Sequence, residues 1–392
     1  MTSLAPERGG IAAVNRSIVR ALQGSASDGR RIELHALLYN DEQLRLDPAY
    51  LEDPECFNAE ACSSHKWRFL RRYLSLCRRW RPELVIVDHL HLAVIPWLCR
   101  PLARRDYVLF CHGVEFDEPL SGLRLTAFRG ACRRLCNSRF TTSRLQAKFP
   151  DQLLQPCELG LDDLSLVGAT NVEVDSLPDA LGTARQLSEH AILIVSRLAS
   201  SERYKGHDQL IRAMPALRKA VPMAQLIIAG DGDDRERLTE LARQSTCGDA
   251  ILFAGFAPPG KLAALFRQAR LFAMPSRGEG FGLVYLEAMR FAKPCIASCL
   301  DGGAEVVADG VTGILVDPDD RNELGNALER LLCDDKLAEK MGQAGLQRFT
   351  DHYQFEHFRA RLRRRLGELL PLEESAAATA QPDDSLISQE VI

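Results

Sequence analysis

The chain has 392 residues, too many for one ordinary hydrophobic core, so we expect two or three domains. It carries 49 basic and 53 acidic residues and no recognised nucleic-acid-binding module, which argues against a nucleic-acid partner. The twelve cysteines are scattered without a CxxC pair, so we expect neither a disulfide framework nor a zinc site.

Charge is distributed unevenly along the chain. Residues 1–150 hold 23 basic against 16 acidic side chains (+7), and the remainder holds 26 against 37 (−11). The two halves are therefore expected to face different partners. No apolar run reaches the ~18 residues of a membrane helix, and no signal pattern opens the chain. We expect a cytoplasmic protein, with peripheral contact at the inner face of a membrane left open.

The first half alternates between helical and strand patterns. Residues 9–22 form a glycine turn and an amphipathic helix. Strands are predicted at 31–38, 83–88 and 106–111. This alternation favours a parallel sheet with helices on both faces. His112 directly follows the third of these strands, at the end where such sheets bind ligands, although a packed or capping histidine is the alternative.

The stretch 65–82 contains seven basic side chains and no acidic one. Its apolar residues repeat at helical spacing, and Trp67 and Trp80 flank the run. One interpretation is a core-packed helix with a solvated basic face. The other is a patch for anionic lipid headgroups or an anionic acceptor.

The second half shows the same alternation after a polar, irregular stretch at 165–188, which we predict to be a linker. Strands are predicted at 192–196, 224–230, 250–255, 271–274, 295–298 and 313–316. They indicate a second Rossmann-like sheet. A terminal helix is predicted at 355–370, and residues 373–392 have the composition of a disordered tail.

Residues 275–290, PSRGEGFGLVYLEAMR, join the strand at 271–274 to a helix through a glycine-rich turn. The backbone N–H groups of Gly282, Leu283 and Val284 begin that helix without intrahelical acceptors, which favours phosphate binding. Phosphate would repel Glu279 and Glu287, so we expect these carboxylates to meet ligand hydroxyl groups, as on a sugar. An ordinary loop with solvated glutamates is the alternative.

This sequence resembles the EX7E signature of retaining glycosyltransferases, specifically those of glycosyltransferase family 4. In that family the usual form of the motif is close to PSxxEGFGLVxLEAM. The resemblance extends over roughly residues 190–320. It implies a GT-B fold, in which two Rossmann-like domains face each other across a cleft. It also implies transfer of a sugar from a nucleoside diphosphate sugar to a glycan or lipid-linked acceptor, with no cofactor and no metal.

The resemblance assigns roles to individual residues. Arg197 and Lys205, in SRL and KG where the family has GRL and KG, would hold the diphosphate. Glu287 would bind the ribose hydroxyls, and His112 would contact the donor sugar near the reacting carbon. The remaining donor contacts would come from Glu279, Gly280, Phe281, Gly282, Leu283 and Val284.

The resemblance also places a strand before the first glycine turn, where Gly9 and Gly10 would approach the donor phosphate and the acceptor. Only eight residues precede Gly9, and none forms an apolar run. Either the sequence starts too late or the sheet lacks this strand. We favour the first, because an absent central strand would expose the ladder groups of its neighbours.

The run GDGDD at 230–234 contains a DxD pattern, which binds metal in other transferases. Because it lies between a strand and a helix, we interpret Asp231 and Asp233 as turn and N-cap residues. A second glycine-rich turn at 301–310 would form a wall of the donor site. Ordinary turn geometry is the equal alternative there.

We therefore predict a retaining GT-B glycosyltransferase of cell-surface polysaccharide or glycolipid synthesis. The predicted parts are an acceptor domain (1–164), a linker (165–188), a nucleotide-sugar domain (189–350), a terminal helix crossing back (351–372) and a tail (373–392). A degenerate, noncatalytic nucleotide-sugar binder and a GT-B sugar-nucleotide epimerase are the alternatives.

Overall fold

The computed structural model describes residues 1–5, 9–24, 31–103, 105–166, 172–367 and 369–370. The predicted tail at 373–392 and part of the predicted linker, 167–171, lie outside the described residues. Parallel sheets flanked by helices make up both halves of the described chain, which confirms the predicted α/β architecture. No helix in these ranges is both long and apolar enough to cross a bilayer.

The first half holds two small parallel sheets, of two and four strands. Its elements are α1 (Gly10–Leu22), β1 (Leu34–Leu38), β2 (Phe57–Ala61), α2 (Lys66–Arg79), β3 (Val85–Val87), α3 (Leu90–Ala103), β4 (Tyr107–Cys111), α4 (Gly122–Gly130), β5 (Arg133–Cys136), α5 (Arg139–Lys148) and β6 (Leu154–Pro156). The strand order is β1-β2 in one sheet and β3-β4-β5-β6 in the other. All three strands predicted in this half are confirmed as β1, β3 and β4.

Within the described residues no strand pairs with both small sheets. Met1 and Thr2 lie between the end of β1 and the end of β3. The Met1 nitrogen donates to the Leu37 carbonyl (2.8 Å), and the Met1 carbonyl accepts from the Tyr39 amide (3.0 Å). On the other side, the Thr2 amide donates to the Asp88 carboxylate, directly after β3 (2.7 Å). The described first half therefore lacks most of the strand that the resemblance implied.

Strand β5 was not predicted because it begins with two arginines, which interrupt the apolar pattern. Both are buried. Arg134 donates to the carbonyls of Phe128, Arg129 and Ala131, so its charge meets backbone oxygens rather than water. Charge alone is thus a poor guide to exposure where carbonyl groups at a helix end accept from a guanidinium.

The second half is built on one six-stranded parallel sheet. Its elements are β7 (Ser176–Pro178), β8 (Ala184–Gln186), β9 (Ala191–Val195), α6 (His207–Ala220), β10 (Gln225–Ala229), α7 (Arg235–Gln244), β11 (Ile251–Gly255), α8 (Pro259–Gln268), β12 (Leu271–Met274), α9 (Leu283–Arg290), β13 (Cys295–Ser298), α10 (Gly303–Val306), β14 (Gly313–Val316), α11 (Arg321–Cys333), α12 (Asp335–His352) and α13 (Phe355–Gly367). The six strands predicted here are confirmed as β9 to β14.

The strand order of this sheet is β11-β10-β9-β12-β13-β14, so the chain winds outward in both directions from the β9–β12 pair. Loops leaving the carboxyl ends of β9 and β12 therefore diverge to opposite sides. In open parallel sheets such a switch point leaves a crevice in which ligands bind. The chain order thus identifies the crevice before any side chain is considered.

Residues 176–186, within the predicted linker, form the β7–β8 hairpin, whose Ala180 amide donates to the Ile251 carbonyl at the edge of the second sheet. The last helix, α13, contacts the first half. Arg363 donates to the Ala21 carbonyl at the end of α1 (2.9 Å), and Arg359 pairs with Glu52 (2.9 Å). These contacts connect the two ends of the described chain.

Candidate functional site

The turn between β12 and α9 lies at the switch point and opens a helix without a side-chain cap. Gly282 occupies the N-cap position at φ 91°, a conformation that favours glycine. In the described part of the chain, no acceptor is recorded for the amides of Gly282, Leu283 and Val284. This helix start therefore presents free N–H groups, as an anion site requires.

A chain of alternating charges crosses the crevice beside that helix start. The Lys205 ammonium lies 2.8 Å from the Glu279 carboxylate and 3.7 Å from Glu202. Glu202 also pairs with Arg197, which follows β9. Burial works against the charge on Lys205, but attraction to the carboxylates outweighs it and raises the pKa of the ammonium. Glu202, which the sequence patterns did not single out, thus links Arg197 to Lys205, and Lys205 contacts Glu279 directly.

The turn at 301–310 contacts the Glu279 turn. Asp301 accepts from the Glu279 amide (3.0 Å), the Ser276 hydroxyl and the Gly303 amide (2.9 Å). The Glu279 carbonyl accepts from the Gly302 amide (2.8 Å). Burial raises the pKa of Asp301 to about 6, despite the hydrogen bonds that it accepts. Asp301, the first residue of this turn, therefore fixes the backbone of Glu279.

Glu287 lies in α9, one turn beyond the free N–H groups, and is partly buried. No hydrogen-bond partner is recorded for its carboxyl group within the described residues. Burial raises the pKa of Glu287 to about 7, with Arg290 as the opposing charge. A carboxyl group held this way can accept from ligand hydroxyls at little cost in lost protein contacts.

His112 follows β4 in the first half, at the carboxyl end of that strand as predicted. It is buried, and burial lowers the pKa of its imidazole to about 4, so the ring is neutral near pH 7. No hydrogen-bond partner is found for its Nε2 within the described chain. The Glu115 carboxylate accepts from the His112 amide (2.9 Å) and fixes this loop. Burial raises the pKa of Glu115 to about 7.

The two halves touch at Gly280, which brings the His112 loop against the Glu279 turn. The Gly280 carbonyl accepts from the hydroxyls of Ser138 (2.6 Å) and Thr141 (3.2 Å) at the start of α5. A Cβ at Gly280 would lie 2.0 Å from the His112 carbonyl oxygen. Only glycine permits this approach, so the halves meet with His112 beside the Glu279 turn.

Gly9 and Gly10 lie at the start of α1, exposed, with open space where a Cβ would project. The three residues before them lie outside the described chain. The predicted approach of this turn to the donor therefore stays a prediction.

One prediction for the GDGDD run at 230–234 is wrong, the N-cap role of Asp233. Asp231 accepts from the following amide, as a turn residue does, but Asp233 is not the N-cap of α7. That position is Asp234, whose carboxylate pairs with Arg203 and Arg237 instead of capping. Asp233 accepts from the Ser200 amide (2.9 Å) and hydroxyl (2.6 Å). In the described residues no cluster of three His, Cys, Asp or Glu side chains is arranged to hold a metal.

The sequence patterns did not indicate Glu202, Ser138 or Glu115 as parts of this site, and they included Asp301 only as a member of the turn at 301–310. Glu202 stands three residues before Lys205, a spacing at which opposite charges pair in a helical turn, and this signal could have identified it. Asp301 and Ser138 act through contacts between segments far apart in sequence, for which spacing gives no signal.

Comparison with known proteins agrees with this geometry. The family described as "Glycosyl transferases group 1" matches residues 183–348. The chain is 33% identical to a GDP-mannose-dependent alpha-(1-6)-phosphatidylinositol monomannoside mannosyltransferase of Mycolicibacterium smegmatis over 69% of this chain and 72% of the relative. It is 34% identical to a glycogen synthase of Mycobacterium tuberculosis over 71% of this chain and 67% of that protein.

The fold is shared with the HepE protein of Anabaena, solved in complex with UDP. The TM-score is 0.70 at 20% identity, over 94% of this chain and 98% of the other. Sequence similarity to the curated relatives and the two-sheet fold lead to one conclusion. The chain belongs to the group 1 glycosyltransferases, retaining GT-B enzymes of family 4 that transfer a sugar from a nucleotide-sugar donor.

Proposed function

We propose that the crevice between β9 and β12 is the donor site of this glycosyltransferase. The observation that carries the proposal is the Lys205–Glu279 ion pair beside the free N–H groups of α9. Arg197 and Lys205 bind the diphosphate, and Glu287 accepts from the ribose hydroxyls. Glu279, Gly280, Phe281 and the N–H groups of Gly282, Leu283 and Val284 position the donor sugar and its adjoining phosphate.

The proposed chemistry depends on stabilising the departing diphosphate. As the bond between the anomeric carbon and the phosphate oxygen breaks, charge grows on that oxygen, where Arg197 and Lys205 compensate it. The acceptor hydroxyl forms the new bond on the same face and passes its proton to the leaving oxygen. His112 is neutral near pH 7, so its unpartnered Nε2 suits a hydrogen bond to the sugar near the reacting carbon.

A donor screen tests this assignment. Thermal stabilisation and hydrolysis are measured with UDP, GDP and ADP sugars, and the anomeric configuration of the product is read by NMR. We expect one nucleotide to stabilise the protein and its sugar to be transferred with retention. If the protein binds a nucleotide sugar but transfers the sugar to none of the acceptors tested, the result would favour a noncatalytic nucleotide-sugar binder. Inversion at a sugar carbon other than the anomeric one would favour an epimerase.

We also propose a glycan or lipid-linked acceptor, in polysaccharide or glycolipid synthesis. The support is the 33% identity to a mannosyltransferase whose name includes a phosphatidylinositol mannoside acceptor. A radiolabelled donor incubated with lipid extract or with soluble oligosaccharide separates the two acceptor classes by phase partition. Label in neither phase would contradict this proposal.

A peripheral membrane contact at the inner leaflet is proposed from the surface of α2. In the structure Phe69, Tyr73 and Cys77 are buried, whereas Trp67 is 78% exposed. Arg72 pairs with Glu60 (3.0 Å). The other six basic residues of 65–82 are exposed and have no recorded ion pair among the described residues: Lys66, Arg68, Arg71, Arg78, Arg79 and Arg81. Exposed cations beside a projecting tryptophan suit an anionic lipid surface.

A further inference from the structure

The start of α5 lies where the two halves meet. Asn137, directly before it, donates through Nδ2 to the His112 carbonyl (3.0 Å), which ties the His112 loop to this helix. Ser138, the N-cap of α5, donates its hydroxyl to the Gly280 carbonyl (2.6 Å). The start of α5 therefore connects the His112 loop of the first half to the Glu279 turn of the second.

A carboxylate from the second half completes the N-terminus of this helix. Ser138 accepts from the Thr141 amide (2.9 Å), but the first N–H groups of a helix have no acceptor within the helix itself. Glu305 of α10 supplies an acceptor, because its Oε2 accepts from the Phe140 amide (2.9 Å) across 165 positions of the chain. The helix dipole also favours a negative charge at this end. Glu305 thus caps a helix that belongs to the opposite half.

The Glu305 side chain is partly buried where it makes this contact. Burial raises the pKa of its carboxyl group, whereas hydrogen bonds from the amides of Phe140 and Arg139 lower it. The guanidinium of Arg139 pairs with Glu158 (2.7 Å) in the first half. The N–H groups of α5 therefore contribute most to holding the carboxylate, and a movement of α5 away from it would remove them.

The backbone of Glu305 is fixed within the second half. Arg348 of α12 donates to the Glu305 carbonyl (3.0 Å). Four residues earlier, Asp301 accepts from the Glu279 amide (3.0 Å). The short segment 301–305 therefore contacts the Glu279 turn at one end and α5 at the other.

We infer that Glu305 is a positioning residue for sugar transfer: by capping α5 from the second half, it holds the His112 loop against the Glu279 turn. The inference rests on the proposed donor site and adds a residue to which that proposal gives no role. Glu305 acts through Asn137 and Ser138, which connect the start of α5 to both loops. A helix cap with only a local effect would change stability alone, whereas Glu305 should also affect the step in which His112 meets the sugar.

The variants Glu305→Ala and Glu305→Gln test this role. We expect kcat to fall about tenfold in the alanine variant and about threefold in the glutamine variant, because glutamine keeps an acceptor oxygen without the charge. The proposed diphosphate and ribose contacts all lie in the second half. The Kd of the nucleoside diphosphate that stabilises the wild type in the donor screen should therefore change by less than about twofold, as titration calorimetry would measure.

The outcomes separate this inference from the proposed function. An active wild type with equally active Glu305 variants would overturn the inference and leave the donor site standing. If the wild type turns over no donor, the proposed function fails, and the inference falls with it.

Asp320→Ala is the matched control. Asp320 caps α11 from within the second half, where it accepts from the amides of Asn322 (2.8 Å) and Glu323 (3.1 Å). Its removal should lower the melting temperature, as the loss of a helix cap does, and leave kcat unchanged. An equal fall in kcat in Asp320→Ala and Glu305→Ala would mean that general stability sets the rate, and it would overturn the inference.

Hydrogen exchange measures the contact without any donor. In Glu305→Ala the Phe140 amide should exchange about tenfold faster than in the wild type. The Thr141 amide, which Ser138 caps within the first half, should exchange at the same rate in both proteins. Unchanged exchange of the Phe140 amide would show that Glu305 does not hold α5, and the inference would be wrong.

A double variant tests whether Glu305 and Gly280 act through the same contact between the halves. The Cβ of Gly280→Ala would lie 2.0 Å from the His112 carbonyl oxygen, so this substitution alone should move the His112 loop away. Adding Glu305→Ala should then lower kcat by less than about twofold. Losses that multiply would show that the two residues act independently, against the inference.

Discussion

The Lys205 ammonium lies 2.8 Å from the Glu279 carboxylate, which joins the segment that follows β9 to the turn that follows β12. These are the two strands from which the second sheet winds in opposite directions. The pair therefore spans the crevice at the switch point of the second sheet, between the loops that follow β9 and β12. The carboxylates of Glu279 and Glu202 compensate the positive charge of Lys205. A diphosphate in the crevice would compete with these carboxylates for the ammonium group.

Replacing either member of this pair should reduce catalysis more than stability. We expect Lys205→Ala and Glu279→Gln each to lower the turnover number at least about tenfold, because each removes charge from the crevice. The initial rate of sugar transfer or donor hydrolysis is the measurement, with the melting temperature recorded alongside. Lys336→Ala, at an exposed position of α12, is the matched control. Unchanged rates in both site variants would contradict the proposed donor site.

Gly280→Ala should separate the two halves. The added Cβ would stand 2.0 Å from the His112 carbonyl oxygen and 2.9 Å from Asn137 Nδ2, so the His112 loop must move away. Displacement of this size at a reacting centre can cost ~100-fold in rate. We expect kcat to fall by about tenfold to ~100-fold. Binding of the donor in the absence of acceptor should be retained. Gly325→Ala, where a Cβ meets open space inside α11, is the control and should raise stability slightly.

Glu115→Gln should change how stability depends on pH. Burial raises the pKa of Glu115 to about 7 in the folded protein. Between about pH 4.5 and about pH 7, Glu115 therefore keeps its proton in the folded protein and loses it in the unfolded chain. Its contribution to stability is therefore complete below about pH 4.5 and is lost as pH rises to about 7. Glutamine retains an acceptor for the His112 amide without charge, so the variant should melt higher than the wild type at about pH 8 and not at about pH 5.

The difference between the two melting curves is the relevant measurement. The buried rings of His112 and His207 have pKa values lowered to about 4, which act in the opposite direction but equally in both proteins. A difference that stays constant from about pH 5 to about pH 8 would show that Glu115 does not titrate in this window.

The exposed basic surface of α2 should bind anionic vesicles. Replacing Arg71, Arg72, Arg78 and Arg79 with glutamine should release the protein, since each charge near an anionic leaflet contributes about 1 kcal/mol. Sedimentation with phosphatidylserine-containing vesicles measures this. Binding by the wild type should weaken with salt, because the Debye length is roughly 8 Å at physiological ionic strength. Hydrolysis of the donor should be unchanged.

The control for that experiment removes the same charge elsewhere. Arg321, Arg330, Lys336 and Lys340 are exposed on α11 and α12 in the second half. Their replacement by glutamine should leave vesicle binding as it was. Equal pelleting of the wild type and both variants, or none at low salt, would leave α2 as an ordinary solvated helix.

Local sequence determined much of this protein. Apolar runs bounded by glycine or charged residues predicted the strands β9 to β14. The sequence motif around Glu279 predicted the turn and indicated the family. These features depend on residues close together in the chain, where propensity and burial act in the same direction. The position of His112 directly after β4 was likewise predicted from the apolar run that precedes it.

Only the tertiary structure decided which charges are buried and which segments meet. Arg134 is buried because three backbone carbonyls at the end of α4 accept from its guanidinium. Asp233, predicted as a helix cap, accepts from Ser200 instead. The meeting of Gly280 with His112 depends on residues far apart in sequence. Hydrogen bonds and close packing are short-ranged in space and indifferent to separation along the chain, so no local pattern can encode them.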